Sequence, residues 1–421
     1  MQRPKLKDLF LNHSHWPDVE RIVKKLDSHG FVAYLAGGAI RDALLGREAH
    51  DFDIATDAHP EEIEKLFKNA IGVGRQFGVM MLPFGDFQIE VATFRRDGEY
   101  GDGRHPTEIH YSSAEEDSRR RDFTVNALFY DPLKDEIIDF VDGLKDLKVH
   151  TLRAVGDPLA RFNEDKLRIL RAARLSTQLD FAIDPKTLQA MKQCAPLITV
   201  VSRERITDEL FKMAGSKNLR HGIEVLLEVG LFKAIWPKLS FQNDSRLLAA
   251  FMASVSQASG SFEMLLALLE IFNRQHLTKQ PEVAAVSEAV RAPLILSRDQ
   301  QRRIDFLVHG REHLARNEFQ GLLDLNHNDG PLLTEMCLAL TSAGLFEKGA
   351  VGNWITRFLD IADDNGALPK PLVVGDDLLR LGFKASPRMG EVLNELFMNQ
   401  INNKIKNRDE LLAMAERLKV L

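Results

Sequence analysis

The sequence predicts an α+β fold, in which a region that mixes strands and helices comes first and helices make up the rest. Two observations support this prediction. Over residues 1 to about 140, short apolar runs of strand character alternate with helical stretches. From about residue 157 onward, apolar residues recur at a spacing of three and four, which is typical of amphipathic helices. A chain of 421 residues is long enough for two to four domains.

The first region contains two well-marked helices and a set of short strands. One helix begins near Pro17 and ends before Gly30, because proline suits the first turn of a helix and glycine the position after its end. A second helix follows Pro60 for the same reason. Two of the apolar runs are separated only by Gly85 and Asp86, which is typical of a β-hairpin. The predicted strands are 31–36, 52–55, 77–84, 87–94 and 137–141.

Composition and charge narrow the class of protein. The net charge of −6 gives no overall attraction to nucleic acid, so an RNA partner would have to meet local basic patches. The two cysteines, Cys194 and Cys337, lie in apolar helical contexts without the spacing of zinc ligands, which predicts buried thiols. No apolar segment has the length of a signal or membrane-spanning segment. We therefore expect a cytoplasmic protein with no membrane partner.

Two glycines mark the turn between a predicted strand and a short helix. Gly37 and Gly38 precede Arg41 and Asp42. Glycines allow a backbone to approach a phosphate closely, although a glycine pair is also an ordinary turn. Arg41 favours the first interpretation, because it would place a cation beside the opening that the amides at the start of the helix face.

Three carboxylates follow on predicted strands. Asp51 and Asp53 flank Phe52, so on a strand both would face the same side. Glu90 lies between Ile89 and Val91, whose apolar side chains would leave it on the opposite face. An isolated Asp-x-Asp pair is more often solvated than metal-binding. Beside a phosphate-binding turn, however, hard oxygen ligands suit Mg²⁺ that is completed by substrate phosphates.

Two further groups of charged residues lie downstream. Arg119–Arg121 would point in several directions from a helix, and Asn126, four residues after Asp122, would share its helical face. In the segment 161–171, Asp165 and Arg168 would lie side by side on a helix. A carboxylate accepts and a guanidinium donates hydrogen bonds, so this pair could match the edge of a base. The alternatives are a solvated basic run and a surface salt bridge of little energetic weight.

In this order, the motifs resemble those of the class II tRNA nucleotidyltransferases. That family includes the bacterial poly(A) polymerases and belongs to the polymerase-β-like nucleotidyltransferases. The likeness covers about residues 25–215, and its four strongest segments are 37–42, 51–53, 120–127 and 164–168. Segments 203–209 and 371–378, with Gly382, resemble further parts of the family.

The resemblance implies a catalytic head with a five-stranded sheet, followed by a helical neck, body and tail. The expected divisions are a head over 1–145, a neck that recognises the base over 146–215, a body over 216–365 and a tail that binds tRNA over 366–421. A monomer is the expected state of the protein.

The resemblance also implies an activity: addition of nucleotides to the 3′ end of tRNA without a nucleic-acid template, from CTP and ATP, with two Mg²⁺ ions. Asp51 and Asp53 would be the catalytic metal ligands, with Glu90 as a third carboxylate beside them. Asp165 and Arg168 would read the base edges. The residues expected to bind the nucleotide are Gly37, Gly38, Arg41, Arg121, Asn126, Arg161, Asp165 and Arg168.

Several alternatives share the same motifs. The polar, glycine-rich segment 95–106 resembles the loop that family members need to switch from C to A, which favours complete CCA addition. A poly(A) polymerase and an enzyme that adds only A remain open, because both share the core motifs. Asp51 and Asp53 argue against a noncatalytic RNA-binding protein, which would not need two metal-binding carboxylates. After about residue 245 no adjacent His-Asp pair occurs, so no phosphohydrolase activity is predicted there.

Overall fold

A computed structural model gives the fold of the protein. It describes residues 6–11, 13–49, 51–98, 109–257, 260–276, 283–315, 330–361 and 369–419. The chain forms two compact units: one contains the described residues up to 213 and Glu224–Ile235, and the other contains Ala214–Ile223 and the described residues from Trp236 onward. None of the helices in these ranges combines the length and the apolar character that a bilayer crossing requires.

The strands all lie in the first unit. They are β1 Ala33–Ala36, β2 Asp53–Thr56, β3 Ile71–Gly74, β4 Val79–Phe84, β5 Phe87–Thr93, β6 Arg95–Asp97, β7 Ile109–Tyr111, β8 Phe129–Asp131, β9 Glu136–Ile138, β10 Thr151–Leu152 and β11 Ala182–Ile183.

Helices make up most of the remaining described residues. Those that begin before residue 214 are α1 Leu6–Phe10, α2 Trp16–Asp27, α3 Gly38–Leu44, α4 Pro60–Leu66, α5 Ala114–Arg119, α6 Gly143–Lys148, α7 Pro158–Glu164, α8 Leu167–Leu179, α9 Pro185–Cys194 and α10 Arg203–Ala214. The next are α11 Leu219–Val229, α12 Leu231–Ile235, α13 Ser245–Gln257, α14 Phe262–His276, α15 Val283–Arg291 and α16 Arg298–Ala315. The last are α17 Gly330–Ser342, α18 Lys348–Ile361, α19 Gly375–Arg380, α20 Pro387–Asn402 and α21 Arg408–Lys419. Short 3₁₀ turns occur at Arg75–Phe77, Thr124–Asn126, Ala195–Val200 and Phe241–Asn243.

The main sheet has the order β3-β4-β5-β2-β1-β8-β9. The predicted hairpin around Gly85 is confirmed, because β4 and β5 pair antiparallel from Val79 opposite Ala92 to Phe84 opposite Phe87. β2 and β5 run parallel, whereas β1 pairs antiparallel with both β2 and β8. The expectation of five strands is wrong, since seven pair in this sheet. β3 gives little sequence signal because its side chains are mostly exposed and two of its four residues are glycine.

Local contacts explain why some strands are shorter than predicted. β4 begins at Val79 because the chain first makes a 3₁₀ turn that ends at Gly78, which has a φ of +76°. β9 ends at Ile138 because the carboxylate of Asp139 accepts hydrogen bonds from the backbone amides of the turn that leads into α6. A side chain that binds amides of the turn takes over their hydrogen bonding from the strand.

One face of the sheet is anchored by aromatic residues. Phe52, between the two predicted metal ligands, is 1% exposed, and its ring lies 5.7 Å from the ring of Phe10 and 6.2 Å from that of Trp16. Burying a phenylalanine stabilises a fold by about 1.5–3 kcal/mol. This packing fixes the backbone on both sides of Phe52 and, with it, the start of β2.

The prediction of helices beyond residue 157 is confirmed with one exception. β11 lies in that region and pairs parallel with β10. Both cysteines are buried, as predicted, and burial raises the pKa of Cys337 to about 12. In the second unit, the rings of Phe241, Phe251 and Phe272 pack together in the core. A separate apolar cluster joins α19, α20 and α21 around Leu378, Val392 and Leu411.

Candidate functional site

Most of the predicted site residues line one cleft in the first unit, with a volume of about 480 Å³. Ligand pockets commonly measure about 300–1,000 Å³, so a nucleotide is a reasonable occupant by size. The charged and polar residues that line the cleft are Arg41, Asp53, Glu90, Arg95, Arg120, Arg121, Asp122, Asn126, Asp165, Arg168, Arg171, Arg174 and Arg205, with Gly37 and Gly38. The four motif segments of the sequence, 37–42, 51–53, 120–127 and 164–168, therefore meet at one place.

Asp53 and Glu90 form the carboxylate part of the cleft. They lie directly opposite each other on the parallel strands β2 and β5. Ile89 and Val91 are fully buried, so the predicted alternation that leaves Glu90 on the cleft side is confirmed. Asp51 precedes the strand, is exposed and lies near enough for its charge to raise the pKa of Asp53.

Each of the two facing carboxyl groups resists ionisation. Burial raises the pKa of Asp53 to about 6. The negative charge of Glu90 adds to this rise, and the positive charge of Arg121 opposes it. Burial also raises the pKa of Glu90, against the nearby positive charges of Arg95 and Arg121. Burial is the main cause at both residues, so their charged forms are poorly solvated at this end of the cleft.

This donor set fits Mg²⁺. Among the described residues, no three carboxylate, imidazole or thiolate groups form a ready-made metal cluster. Magnesium does not need one, because it is usually held by one or two carboxylates and completed by water and substrate phosphates. Asp53 and Glu90 supply two such oxygen donors side by side.

The glycine turn differs in detail from the prediction. The amide of Gly37 donates to the carbonyl of Leu128 at 3.1 Å, so it is not available to a phosphate. What Gly37 provides is space: its φ is +77°, and a Cβ there would lie 3.2 Å from Nη1 of Arg121 and 4.0 Å from Oδ2 of Asp53. The absence of a side chain lets the guanidinium and the carboxylate line the cleft together.

Arg41 and Asn126 contact each other, which the motifs do not reveal. Nη1 of Arg41 donates to Oδ1 of Asn126, and Nδ2 of Asn126 donates to Oδ1 of Asp122 at 3.2 Å. The predicted shared helical face of Asp122 and Asn126 is wrong, because α5 ends at Arg119 and Phe123 is extended. Phe123 is fully buried, and this burial breaks the helix.

The three consecutive arginines have two carboxylate partners between them. Arg119 pairs with Glu115 at the surface, whereas Arg120 and Arg121 both bind Asp117, which is 1% exposed. Burial alone would raise the pKa of Asp117, but the two guanidinium groups hold it below its usual value. Arg121 also lies over the ring of Phe129, 5.1 Å from its centroid. It is therefore fixed at the cleft beside Asp53.

The predicted Asp165–Arg168 pair is wrong as a pair, although both residues line the cleft. The helix stops at Glu164, Asp165 takes an extended conformation, and a new helix begins at Leu167. Arg168 donates instead to Glu164 at 2.6 Å. Asp165 binds Arg205, a residue that sequence reasoning did not single out.

Sequence reasoning also missed two arginines on α8. Arg171 donates to Asp122 at 2.9 Å, and Arg174 donates to Glu209. Burial would raise the pKa of Asp122, but Arg171, Arg168 and the hydrogen bond from Asn126 lower it to about 2. The sequence signal was present, since Arg168, Arg171 and Arg174 recur every third residue and share one helical face.

Two predicted residues lie outside the described lining of the cleft. Asp51 is exposed beside it, and Arg161 pairs at 2.8 Å with Glu164, the carboxylate that also holds Arg168. Of the predicted switching loop, residues 99–106 fall outside the described residues.

Family models match two parts of the chain. The model described as "Poly A polymerase head domain" matches residues 33–153. The model described as "Probable RNA and SrmB- binding site of polymerase A" matches residues 180–242. The first match contains the carboxylate and glycine motifs of the cleft.

Two curated relatives are CCA-adding enzymes. A CCA-adding enzyme of Enterococcus faecalis is 32% identical over 397 residues, which are 93% of this chain and 93% of that protein. A CCA-adding enzyme of Bacillus licheniformis is 40% identical over 246 residues, which are 58% of this chain and 60% of that protein.

Solved structures agree in fold. The Bacillus stearothermophilus CCA-adding enzyme in complex with CTP matches with a TM-score of 0.68 and 27% identity, over 97% of this chain and 98% of that one. The Thermotoga maritima CCA-adding enzyme complexed with tRNA-CCA matches with a TM-score of 0.63 and 22% identity, over 98% and 97%. At that identity the second match concerns the fold alone.

Proposed function

The chain belongs to the family of CCA-adding enzymes, and on that premise we propose that it adds C, C and A in turn to the 3′ end of tRNA from CTP and ATP, with release of pyrophosphate. The observation that supports this most strongly is the cleft itself. It combines a carboxylate pair suited to a metal with guanidinium groups suited to a triphosphate and to a base. A noncatalytic nucleotide-binding protein would have no use for two facing carboxylates.

The metal ligands that we propose are Asp51, Asp53 and Glu90, and the ions are two Mg²⁺. When bound there, Mg²⁺ would activate the attacking 3′-hydroxyl of the tRNA and offset the charge that develops on pyrophosphate. Asp53 and Glu90 would hold the reacting phosphate in place through the cation, because they lie directly opposite each other on the adjacent strands β2 and β5.

The triphosphate would lie against the glycine turn. Arg41 and Arg121 supply positive charge on either side of Gly37, and Asp42, Asn126 and Asp117 hold their guanidinium groups. Fixed donors cost less entropy on binding than free side chains. Gly38 and Asn126 would complete the contacts to phosphate and ribose.

The base would be read by Asp165 and Arg168, with Arg161 supporting them through Glu164. Cytosine and adenine each present an amino donor next to a ring-nitrogen acceptor, whereas uracil and guanine present a carbonyl in place of the amino group. A carboxylate that accepts and a guanidinium that donates select the first pattern. The same two side chains therefore suit both CTP and ATP.

We also propose a division of labour along the chain. The head over 1–145 would carry out catalysis and the neck over 146–215 would choose the base. The body over 216–365 and the tail over 366–421 would bind tRNA. A monomeric state is part of the same proposal.

The test uses purified protein, Mg²⁺ and a tRNA that ends just before CCA. The tRNA is incubated with CTP, with ATP or with both, and the product ends are sequenced. Addition of CCA followed by a stop supports the proposal, and EDTA should abolish it. A long A tract would mean a poly(A) polymerase, and a single A added only to tRNA that ends in CC would mean an A-adding enzyme. No extension under any of these conditions would contradict a catalytic role.

A further inference from the structure

Asp165 is held by a two-pronged ion pair with a residue outside its own motif. Nη1 of Arg205 donates to Oδ1 of Asp165 at 3.1 Å, and Nη2 donates to Oδ2 at 2.7 Å. Arg205 comes from α10 and Asp165 from the break between α7 and α8. Their side chains are 22% and 14% exposed, and both residues line the cleft.

The carboxylate of Asp165 accepts a third hydrogen bond, from the backbone. The backbone amide of Leu167 donates to Oδ1 at 3.0 Å, so Oδ1 has two donors. A carboxylate has about four acceptor positions, two on each oxygen. Among the described residues, the hydrogen bond to Oδ2 comes from Arg205, which leaves one acceptor position on that oxygen. An incoming base can use that position without displacing a protein donor.

We propose that Arg205 is a positioning residue that sets nucleotide choice by holding the carboxylate of Asp165 in one orientation. The fork of Arg205 fixes both oxygens at once, so the remaining acceptor position of Oδ2 points in one direction. An amino group of cytosine or adenine can donate to it, whereas a carbonyl of uracil or guanine would face a negative oxygen. This inference rests on the proposed function, and it adds a residue from α10 to the proposed base-reading set.

Rigidity at this place matters because Asp165 lies where regular backbone structure is interrupted. Its φ and ψ are −139° and 108°, between two helices. Backbone at a helix break is held by fewer main-chain hydrogen bonds than a helix interior. A carboxylate there would sample several orientations without a partner, and a bidentate guanidinium supplies both energy and direction.

A purely structural role for Arg205 predicts a different result. If the ion pair only joins α10 to the start of α8, its loss lowers stability and slows transfer of every nucleotide by the same factor. If it positions Asp165, its loss changes the ratio of kcat/KM for CTP to that for UTP. That ratio is the deciding measurement, because a loss of kcat/KM that is equal for CTP and UTP cancels from it.

The variants are Arg205→Ala and Arg205→Lys, assayed with tRNA that ends before CCA. Lysine keeps the positive charge but not the fork. We expect the CTP-to-UTP ratio to fall about tenfold or more in Arg205→Ala, since a site built around a hydrogen bond loses discrimination when that bond is misdirected. Arg205→Lys should fall between it and the unmodified chain. KM for CTP should rise more than kcat falls.

Lys212→Ala is the matched control, because it removes one positive charge from an exposed position on the same helix. Its ratio should equal that of the unmodified chain. Arg205 variants that lower kcat/KM for CTP and UTP equally, or leave both unchanged, would overturn the inference. If Arg205→Ala does not fold, as judged by thermal denaturation, the Arg205→Lys ratio decides alone. Failure of the unmodified chain to extend tRNA would instead contradict the proposed function.

Discussion

The carboxylates on the two walls of the cleft differ in whether a guanidinium group is paired with them. On the sheet wall, Asp53 and Glu90 face each other, and the pKa of each is raised. On the helical wall, each carboxylate has a guanidinium partner. Its ion pairs are Asp165 with Arg205, Glu164 with Arg168, and Asp122 with Arg171.

This difference indicates what each wall lacks. The carboxylates of the sheet wall lose solvation through burial, so a cation that binds there would stabilise their charged forms. The helical wall is neutralised before any ligand binds, so its side chains already have fixed directions. One wall is therefore suited to metal chemistry and the other to geometric recognition.

The strongest test removes the sheet-wall carboxylates. Asp53→Ala and, separately, Asp51→Ala should lower Mg²⁺-dependent transfer on the order of a thousandfold or more, because the metal that stabilises the transferring phosphate would lose its ligand. Binding of tRNA, measured by filter retention, should change little. Asp86→Ala, at the exposed hairpin turn, is the control and should keep full activity. Full turnover in both variants would refute the metal assignment.

The next test removes the helical-wall readers. Asp165→Ala and Arg168→Ala should lower the preference for CTP over UTP by roughly ten- to a hundredfold, because a hydrogen-bonding site without one partner no longer rejects the wrong base. Inhibition by inorganic triphosphate should stay near that of the unmodified chain, since the glycine turn is untouched. If strict choice of CTP and then ATP persisted in both variants, the helical wall would not be the template.

Replacing a carboxylate by an amide on each wall should have a smaller effect, and the effect should be on stability. Asp122→Asn removes a carboxylate that is 10% exposed and that binds Arg171. We expect it to lower the free energy of unfolding by about 1–3 kcal/mol, the usual cost of losing a charged partner in a largely buried hydrogen bond. Asp53→Asn removes a repulsion and should not destabilise the metal-free protein. Urea unfolding in EDTA at pH 7 measures both, and equal losses would erase the distinction between the walls.

The sequence predicts which residues meet on the sheet wall but not which ion pairs form on the helical wall. Alternation along a strand is a local rule, so the facing of Glu90 between Ile89 and Val91 follows from the sequence alone. The spacing of Asp165 and Arg168 suggests a helical pair, yet no proline or glycine marks the break between them. Only the position of Asp165 before an apolar run, where aspartate often caps helices, hinted at it.

Long-range partners explain the other differences. Arg205 reaches Asp165 across forty residues of sequence, and no local periodicity connects them. Burial of Phe123, which bridges to Ala154, ends the helix that the arginine run suggested. Tertiary packing of one aromatic residue overrides the propensity of its neighbours.

The smallest expected effect is a pH dependence of stability that belongs to Asp53. Its pKa is about 6 in the folded protein, against an ordinary value of 3.8. The folded state therefore binds more protons than the unfolded chain between these values. The resulting stabilisation is fully present below about pH 3.8 and is lost as the pH rises through 6. In EDTA, lowering the pH from 7 to 5 should therefore raise the Tm of the unmodified chain relative to that of Asp53→Asn.

Addition of Mg²⁺ is the control for the pH-dependent difference in Tm between the unmodified chain and Asp53→Asn. At pH 7 it should raise the Tm of the unmodified chain, because a cation relieves the same repulsion that protonation relieves at pH 5. Asp53→Asn should respond less to Mg²⁺ as well as to pH, since it has lost the charge on which both act. If the two proteins shifted equally with pH and with Mg²⁺, the carboxylate of Asp53 would not be the group on which both act, and the contrast between the two walls would not explain their separate roles.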